Sequence, residues 1–163
     1  MKYHNVIGID PDAEKSGVAF LEVPSRKLET AVLSFPDLLD YLRFCQDKSR
    51  ETGESLVVVV EAGWMEKKSN YHPYQGHRAE KIAKDVGRNH ETGRKIAEMC
   101  RHMGIEVVEH HPLKKMWKGH NNKITHEELA YFMGISGRTN QEMRDAALLA
   151  WEYAGLPLRV KVQ

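Results

Sequence analysis

The feature that most constrains the fold is a pair of apolar runs near the N-terminus, separated by a turn. Residues 6–9 are apolar and end on Asp10, and the second run, residues 17–20, follows a turn that begins with Pro11. Short apolar runs bounded by Pro, Asp and Gly are typical of β-strands joined by a tight turn. We therefore predict a β-hairpin with an acid at the tip of its first strand.

Two further acids occupy comparable places. Glu61 ends the run Leu-Val-Val-Val-Val at residues 56–60, and Asp145 begins an apolar helical segment at residues 145–150. Because burying an unpaired charge is costly, packing alone does not explain acids in apolar elements. Oxygen ligands suit Mg²⁺ or Mn²⁺, whereas Zn²⁺ prefers His or Cys. If the three acids converge, they would form a site for metal-assisted phosphodiester hydrolysis or phosphoryl transfer.

Each acid taken alone has a structural alternative. Asp10 could cap the turn that follows it, Glu61 could pair with a lysine at a sheet edge, and Asp145 could complement a helix dipole. Asp12 and Glu14, in the turn itself, are expected to be solvated. The metal interpretation therefore depends on the three acids together.

Composition places the chain among ordinary globular proteins. Its 163 residues, 41% of them hydrophobic, are enough for one domain, residues 1–163, with its own core. No apolar run approaches the roughly 20 residues of a membrane span, and Cys45 and Cys100 lack the CxxC spacing of a metal or redox motif. We therefore expect a soluble cytoplasmic protein with reduced, buried thiols and no membrane partner.

The remaining pattern predicts an α/β protein. Strands are expected at residues 3–10, 16–23, 28–35, 55–61 and 105–109, and helices at 36–48, from about 86 or 89 to 102, 113–118, 125–133 and 139–154. Such a meander followed by alternating helices and strands is typical of a mixed sheet covered by helices. In that layout the first and fourth strands are neighbours, which would bring Asp10 beside Glu61, and the last helix would bring Asp145 to both.

Three motifs resemble those of the RuvC family of Holliday junction resolvases, within the ribonuclease H-like superfamily. They are Gly8-Ile9-Asp10-Pro11 with Gly17 downstream, Val60-Glu61, and Glu142-x-x-Asp145-Ala146-Ala147-x-x-x-Ala150. The resemblance covers residues 3–154 and implies a mixed five-stranded sheet flanked by helices. It also implies a homodimer that cuts four-way junctions with two Mg²⁺ or Mn²⁺ ions and no small-molecule cofactor. The metals would be held by Asp10, Glu61, Glu142 and Asp145.

The chain also departs from the RuvC pattern, which usually has two aspartates in the last helix. Here the first of the two is Glu142, which with Thr139 also matches a capping box at a helix start. The turn at residues 12–16 carries two acids where the bacterial resolvase usually has Gly-Ser. The sequence in this respect is more similar to phage or mobile-element relatives than to the housekeeping enzyme.

A basic stretch at residues 114–123 is a candidate for DNA contacts. Clustered cations with flexible Gly and Asn suit phosphate contacts that position a duplex without reading its sequence; the alternative is a solvated charge run. The cations are Lys114, Lys115, Lys118 and Lys123. By the resemblance, Lys123 lies near the active site, where it could stabilise charge on the phosphate in the transition state.

The segment at residues 62–85 is too polar for a core and too aromatic for a linker. Its aromatic residues could stack on bases at a junction centre, or form a dimer contact, or pack locally: Trp64, Tyr71 and Tyr74. Its cations and one in the following helix are further candidates for DNA contacts: Lys67, Lys68, Arg78, Lys81 and Arg88. Gly93, inside that helix, predicts a close backbone approach to the first strands.

Two alternatives to a junction-cutting endonuclease stay open at this point. A ribonuclease H that hydrolyses RNA/DNA hybrids would use the same acids and metals. A non-catalytic protein that binds branched DNA would have no need for the four acids, so their replacement would leave DNA binding intact or strengthen it.

Overall fold

The computed structural model describes residues 2–66 and 76–160. Five strands and four α-helices occupy these ranges, together with short 3₁₀ turns at residues 63–65 and 120–122. In chain order they are β1 (Asn5–Asp10), β2 (Ser16–Glu22), β3 (Lys27–Leu33), α1 (Phe35–Thr52), β4 (Leu56–Glu61), α2 (His77–His102), β5 (Val107–His110), α3 (His126–Met133) and α4 (Gln141–Tyr153).

The strands form one mixed sheet in the order β3-β2-β1-β4-β5, which confirms the predicted α/β class and the five-stranded sheet. β1 and β2 make the predicted hairpin, with Asp10 opposite Gly17. β1 pairs in parallel with β4, and Ile9 is in register with Val60. Because parallel strands end at the same edge of a sheet, this register places Asp10 and Glu61 next to each other.

Helices cover both faces of the sheet. Alternate residues of a strand point to opposite faces, and the central strands are apolar at both sets of positions. One set of strand residues, including Val57 and Val59, packs under α3 and α4, and the other, including Val58 and Val60, packs under α1 and α2. No helix within residues 2–66 and 76–160 is long and apolar enough to cross a membrane.

Two glycines let α4 lie close to the sheet. A Cβ added to Gly8 of β1 would lie 2.2 Å from the carbonyl oxygen of Ala146, and one added to Gly17 of β2 would lie 2.1 Å from that of Glu142. Side chains at either position would therefore push the helix away. The close approach places the first turns of α4, including Asp145, over the ends of β1 and β2.

The structure corrects the predicted start of α2. This helix begins at His77, about ten residues before the predicted start at 86 or 89. Its buried residues begin only at Gly93, so the first half has no apolar stripe to indicate a helix in the sequence. A close approach does occur at Gly93, but to the segments after the strands rather than to the first strands themselves: its added Cβ would lie 2.5 Å from Trp64, after β4, and 3.0 Å from Pro11, after β1.

Two smaller predictions were wrong. Residues 113–118 are not helical. The N-cap of α4 is Asn140, whose side chain accepts a hydrogen bond from the Met143 backbone, so a capping box from Thr139 to Glu142 does not form. The free thiols are buried as predicted.

Replacing Gly8 by Ala tests the packing of α4. We expect Gly8→Ala to lower the free energy of unfolding by about 3 kcal/mol, since the new methyl group would meet rigid backbone. Gly87→Ala, on the exposed side of α2 with no atom within 4 Å of the added Cβ, should raise it by about 0.5–1 kcal/mol. Urea unfolding of the two variants measures both; equal effects would contradict the close approach.

Candidate active site

Three of the predicted acids and three of the predicted lysines line one cavity at the edge of the sheet where β1 and β4 end. Asp10 and Glu61 come from the strand ends, Asp145 from the second turn of α4, and Lys123 from the segment before α3. The cavity has a volume of about 610 Å³, and Lys114 and Lys115 lie on its wall. The topology therefore brings together residues that are up to 135 positions apart in sequence.

Asp10 and Glu61 form the electrostatically strained pair of this site. Desolvation raises the pKa of Asp10 well above its usual value, and the nearby charges of Glu61 and Asp145 raise it further. Desolvation also raises the pKa of Glu61, although less, because the hydrogen bond between the two carboxyl groups and the charge of Lys123 act in the opposite direction. Burial therefore disfavours the simultaneous ionisation of the two carboxyl groups.

Asp145 and Lys123, which both line the cavity, form an ion pair. Lys123 Nζ lies 3.1 Å from Asp145 Oδ2, and the side chains are 35% and 18% exposed. Desolvation lowers the pKa of Lys123, but Asp145, Asp10 and Glu61 outweigh this effect, so the net pKa is raised. The ammonium group is therefore held in its charged form beside the acids.

Glu142 lies one turn before Asp145 on the same helix. Its backbone packs against Gly17 of β2, and the residue is not among those that line the cavity. Residues three apart on a helix lie on similar faces, but of the four predicted acids only Asp10, Glu61 and Asp145 line the cavity.

The segment that carries Lys123 is folded into a compact turn. The amide of Trp117 donates to the carbonyl of Asn122, and that of Gly119 donates to the carbonyl of Lys123. Glu128 of α3 is 8% exposed, and its Oε1 accepts bonds from the backbone amides of Lys118 and Thr125 and from the Thr125 hydroxyl. The capping box from Thr125 to Glu128 follows a local sequence pattern, whereas the additional bond to Lys118 has no local sequence signal.

Four other predicted DNA-binding cations, all within the described residues, do not line the cavity. Lys118 is exposed in the turn before α3, and Arg78 and Lys81 are exposed in the first turns of α2. Arg88 is also exposed, with Glu14 at 3.3 Å and Asp85 at 4.0 Å. Four of the predicted contacts lie outside the described residues: Lys67, Lys68, Tyr71 and Tyr74.

Trp64 packs within the chain, as the local-packing alternative expected. Its ring lies over Gly93, meets the His90 ring edge-on with centroids 6.1 Å apart, and has the Arg94 guanidinium 5.4 Å from its centroid. The indole therefore fastens the segment after β4 to α2.

The donor chemistry of the site fits a divalent cation. Within the described ranges, no three His, Cys, Asp or Glu side chains are already gathered as an ion site. Asp10 and Glu61 are nevertheless hydrogen-bonded to each other, and Asp145 acts on both electrostatically. Carboxylate oxygens are the donors that Mg²⁺ and Mn²⁺ prefer. A cation at these oxygens would offset the repulsion that raises the pKa of Asp10.

Comparison with solved structures assigns the fold. T. thermophilus RuvC in complex with a Holliday junction substrate matches with a TM-score of 0.56 and 18% sequence identity, over 93% of each chain. The chain has the ribonuclease H-like fold of RuvC. The match confirms the fold class expected from the sequence motifs.

Two further structures are similar over 93% of this chain. Thermus thermophilus RuvC has 18% identity, a TM-score of 0.44 and 96% of its own chain covered. The Fowlpox virus resolvase in complex with substrate Holliday junction DNA has 12% identity, a TM-score of 0.41 and 97% covered. No family model matches the sequence, and no curated protein matches it.

Replacing Asp10 by Asn tests the electrostatic strain in this site. An acid whose pKa is raised by folding stabilises the protein at low pH, and that contribution is lost as the pH rises through the folded-state pKa. With a chelator present, Asp10→Asn should therefore melt at a higher temperature than the wild type at about pH 8. The difference should shrink as the pH falls toward the ordinary aspartate pKa of 3.8.

The control for this experiment is Asp40→Asn, which changes an exposed aspartate on α1. It should leave the melting temperature nearly unchanged across the same pH series. A lower melting temperature for Asp10→Asn at about pH 8 would mean that the Asp10 charge stabilises the fold, contrary to the raised pKa.

Proposed function

We propose that this chain is a divalent-metal-dependent, structure-selective DNA endonuclease that resolves four-way (Holliday) junctions by phosphodiester hydrolysis. The observation that carries the proposal is the convergence of Asp10, Glu61 and Asp145 on one cavity that is also lined by lysines. Carboxylates suit metal binding, and the lysines suit a phosphate backbone. The RuvC fold supports DNA as the substrate, since the matched RuvC structure holds a Holliday junction.

The proposed metal ligands are Asp10, Glu61 and Asp145, with Glu142 contributing from the same face of α4. When bound, a pair of Mg²⁺ or Mn²⁺ ions would activate water and stabilise the leaving oxygen in phosphodiester hydrolysis. Asp10 must lose the proton that its raised pKa favours in order to act as a ligand, so cation binding is coupled to proton release.

The lysines of the site would bind the phosphates of the DNA, while the acids bind the metal ions. Lys123, which keeps its charge beside the acids, is placed to stabilise negative charge that develops on the scissile phosphate. Lys114 and Lys115, on the cavity wall, would hold the adjoining backbone. The outer cations would guide the arms of the junction toward the cavity: Arg78, Lys81, Arg88 and Lys118, together with Lys67 and Lys68 beyond the described residues.

A homodimer completes the proposal. The acids described above make one site per chain, whereas symmetric resolution requires two strands of the junction to be cut. Two copies of this single nuclease domain would present two such sites to one junction. Tyr71 and Tyr74, outside the described residues, are proposed to stack on bases near the junction centre.

Cleavage of three labelled substrates tests the proposed function. Wild type and Asp145→Asn are incubated with a four-way junction, a linear duplex and an RNA/DNA hybrid, with Mg²⁺ or with a chelator. We expect paired cuts in the junction alone, which are lost with the chelator and in the variant, because Asp145→Asn removes ligand charge while the helix is retained. Binding of the junction by the variant should persist, measured by gel shift.

The other outcomes separate the alternatives. Cutting of the hybrid in place of the junction would assign the protein to ribonuclease H chemistry. Metal-independent binding of the junction without any cutting by the wild type would favour a non-catalytic protein that binds branched DNA.

A further inference from the structure

Both oxygens of the Asp145 carboxylate are held by donors from the chain. Gln141 Nε2 donates to Oδ1 at 2.8 Å, and Lys123 Nζ donates to Oδ2 at 3.1 Å. The terminal torsion of an aspartate is broad and roughly two-fold when nothing restricts it. With one donor on each oxygen and only 18% of the side chain exposed, the carboxylate plane of Asp145 is fixed.

The Gln141 amide is fixed in its turn. Nε2 donates a second hydrogen bond to the carbonyl of Ile124 at 3.2 Å, and Oε1 accepts from Arg144 Nη2 at 3.0 Å. Rotation of the amide by half a turn would set its oxygen against two acceptors and its N–H groups against a guanidinium donor. The surroundings therefore permit one orientation, in which the amide nitrogen faces Asp145.

Arg144 anchors this arrangement to the backbone. Its Nε donates to the carbonyl of Ile124 at 3.1 Å, and its Nη1 donates to the carbonyl of Thr139 at 2.7 Å and to the Thr139 hydroxyl at 3.3 Å. The guanidinium thus joins the segment before α3, which carries Lys123, to the segment before α4. The planar five-donor geometry of Arg suits such multiple bonding.

We propose that Gln141, supported by Arg144, is a positioning residue that fixes Asp145 for cation binding. Gln141 does not line the cavity, so it acts through Asp145. By sharing the Ile124 carbonyl with Arg144, it also fixes the start of α4 against the residue that follows Lys123. The inference rests on the proposed function. Partners that orient a metal ligand typically change metal affinity or activity by about 10–100-fold when they are removed.

The alternative is that Gln141 has only a structural role, which is to hold the segments before α3 and α4 together. Loss of a purely structural bond would lower the melting temperature and leave cation affinity unchanged. Loss of a positioning bond would weaken cation binding even where the fold is intact. Metal affinity and thermal stability, measured on the same variants, therefore separate the two roles.

The test compares Gln141→Met with Gln46→Met. Methionine has nearly the length of glutamine but lacks the amide donor and acceptor. Gln46 is a matched control, because its Nε2 also donates to a backbone carbonyl, that of Met103 at 2.7 Å, and it lies in another cavity, between α1 and α2. Mn²⁺ affinity is measured by titration calorimetry, and the Mg²⁺ concentration for half-maximal junction cleavage is measured on the same preparations.

We expect Gln141→Met to bind Mn²⁺ at least about tenfold more weakly than the wild type. The Mg²⁺ concentration for half-maximal cleavage should rise by a similar factor, and kcat should be largely restored at saturating metal. Gln46→Met should match the wild type in both measurements. Gln141→Asn serves as a second variant: its amide is one methylene shorter and falls short of Asp145, so it should show the same loss while it keeps a polar side chain at the helix start. Melting temperatures in chelator verify folding.

Wild-type Mn²⁺ affinity in a folded Gln141→Met or Gln141→Asn variant would overturn the positioning role while leaving the proposed nuclease function intact. A wild-type protein that neither binds Mn²⁺ nor cuts the junction would overturn the proposed function, and the positioning role with it. The two failures are distinguishable because the first is seen only in the variants and the second in the wild type.

Discussion

The parallel pairing of β1 with β4 is the constraint on which the rest of the site depends. Both strands are buried on both faces, so their register is fixed by two hydrophobic layers at once. That register leaves Asp10 and Glu61 side by side where the strands end. The hydrophobic core thereby holds together two carboxyl groups whose pKa values are raised by desolvation. Carboxyl groups with strongly perturbed pKa values cluster at functional sites, and metal binding is one function that such a pair can serve.

The packing of α4 couples this core to the remaining functional groups. Gly8 and Gly17 allow the helix to pack closely against the sheet. The same helix supplies Asp145 and Gln141, which we propose orients the Asp145 carboxylate. Arg144 then joins α4 to the segment of Lys123 through the Ile124 carbonyl. The sheet, α4 and the basic segment therefore form one continuous set of contacts, in which a displacement of α4 would move Asp145 and Lys123 together.

The sequence predicted the parts of this arrangement that are encoded locally. Apolar runs that end on Asp10 and Glu61 indicate strands and mark their ends, and the alternation of elements is enough to make those strands neighbours. The first half of α2 was missed because its buried residues begin only at Gly93. The bonds of Gln141 were missed because they join groups brought together by tertiary structure, and the true N-cap, Asn140, was missed because Thr139 offers an equally good local pattern.

The central claim is that Asp10, Glu61 and Asp145 form one cation site. Anomalous diffraction from crystals soaked in Mn²⁺ tests it most directly, because the signal locates the metal independently of activity. We expect manganese bound to oxygens of these three side chains, and loss of that signal in crystals of Asp10→Asn. Manganese bound elsewhere on the chain, with none at the three acids, would contradict it.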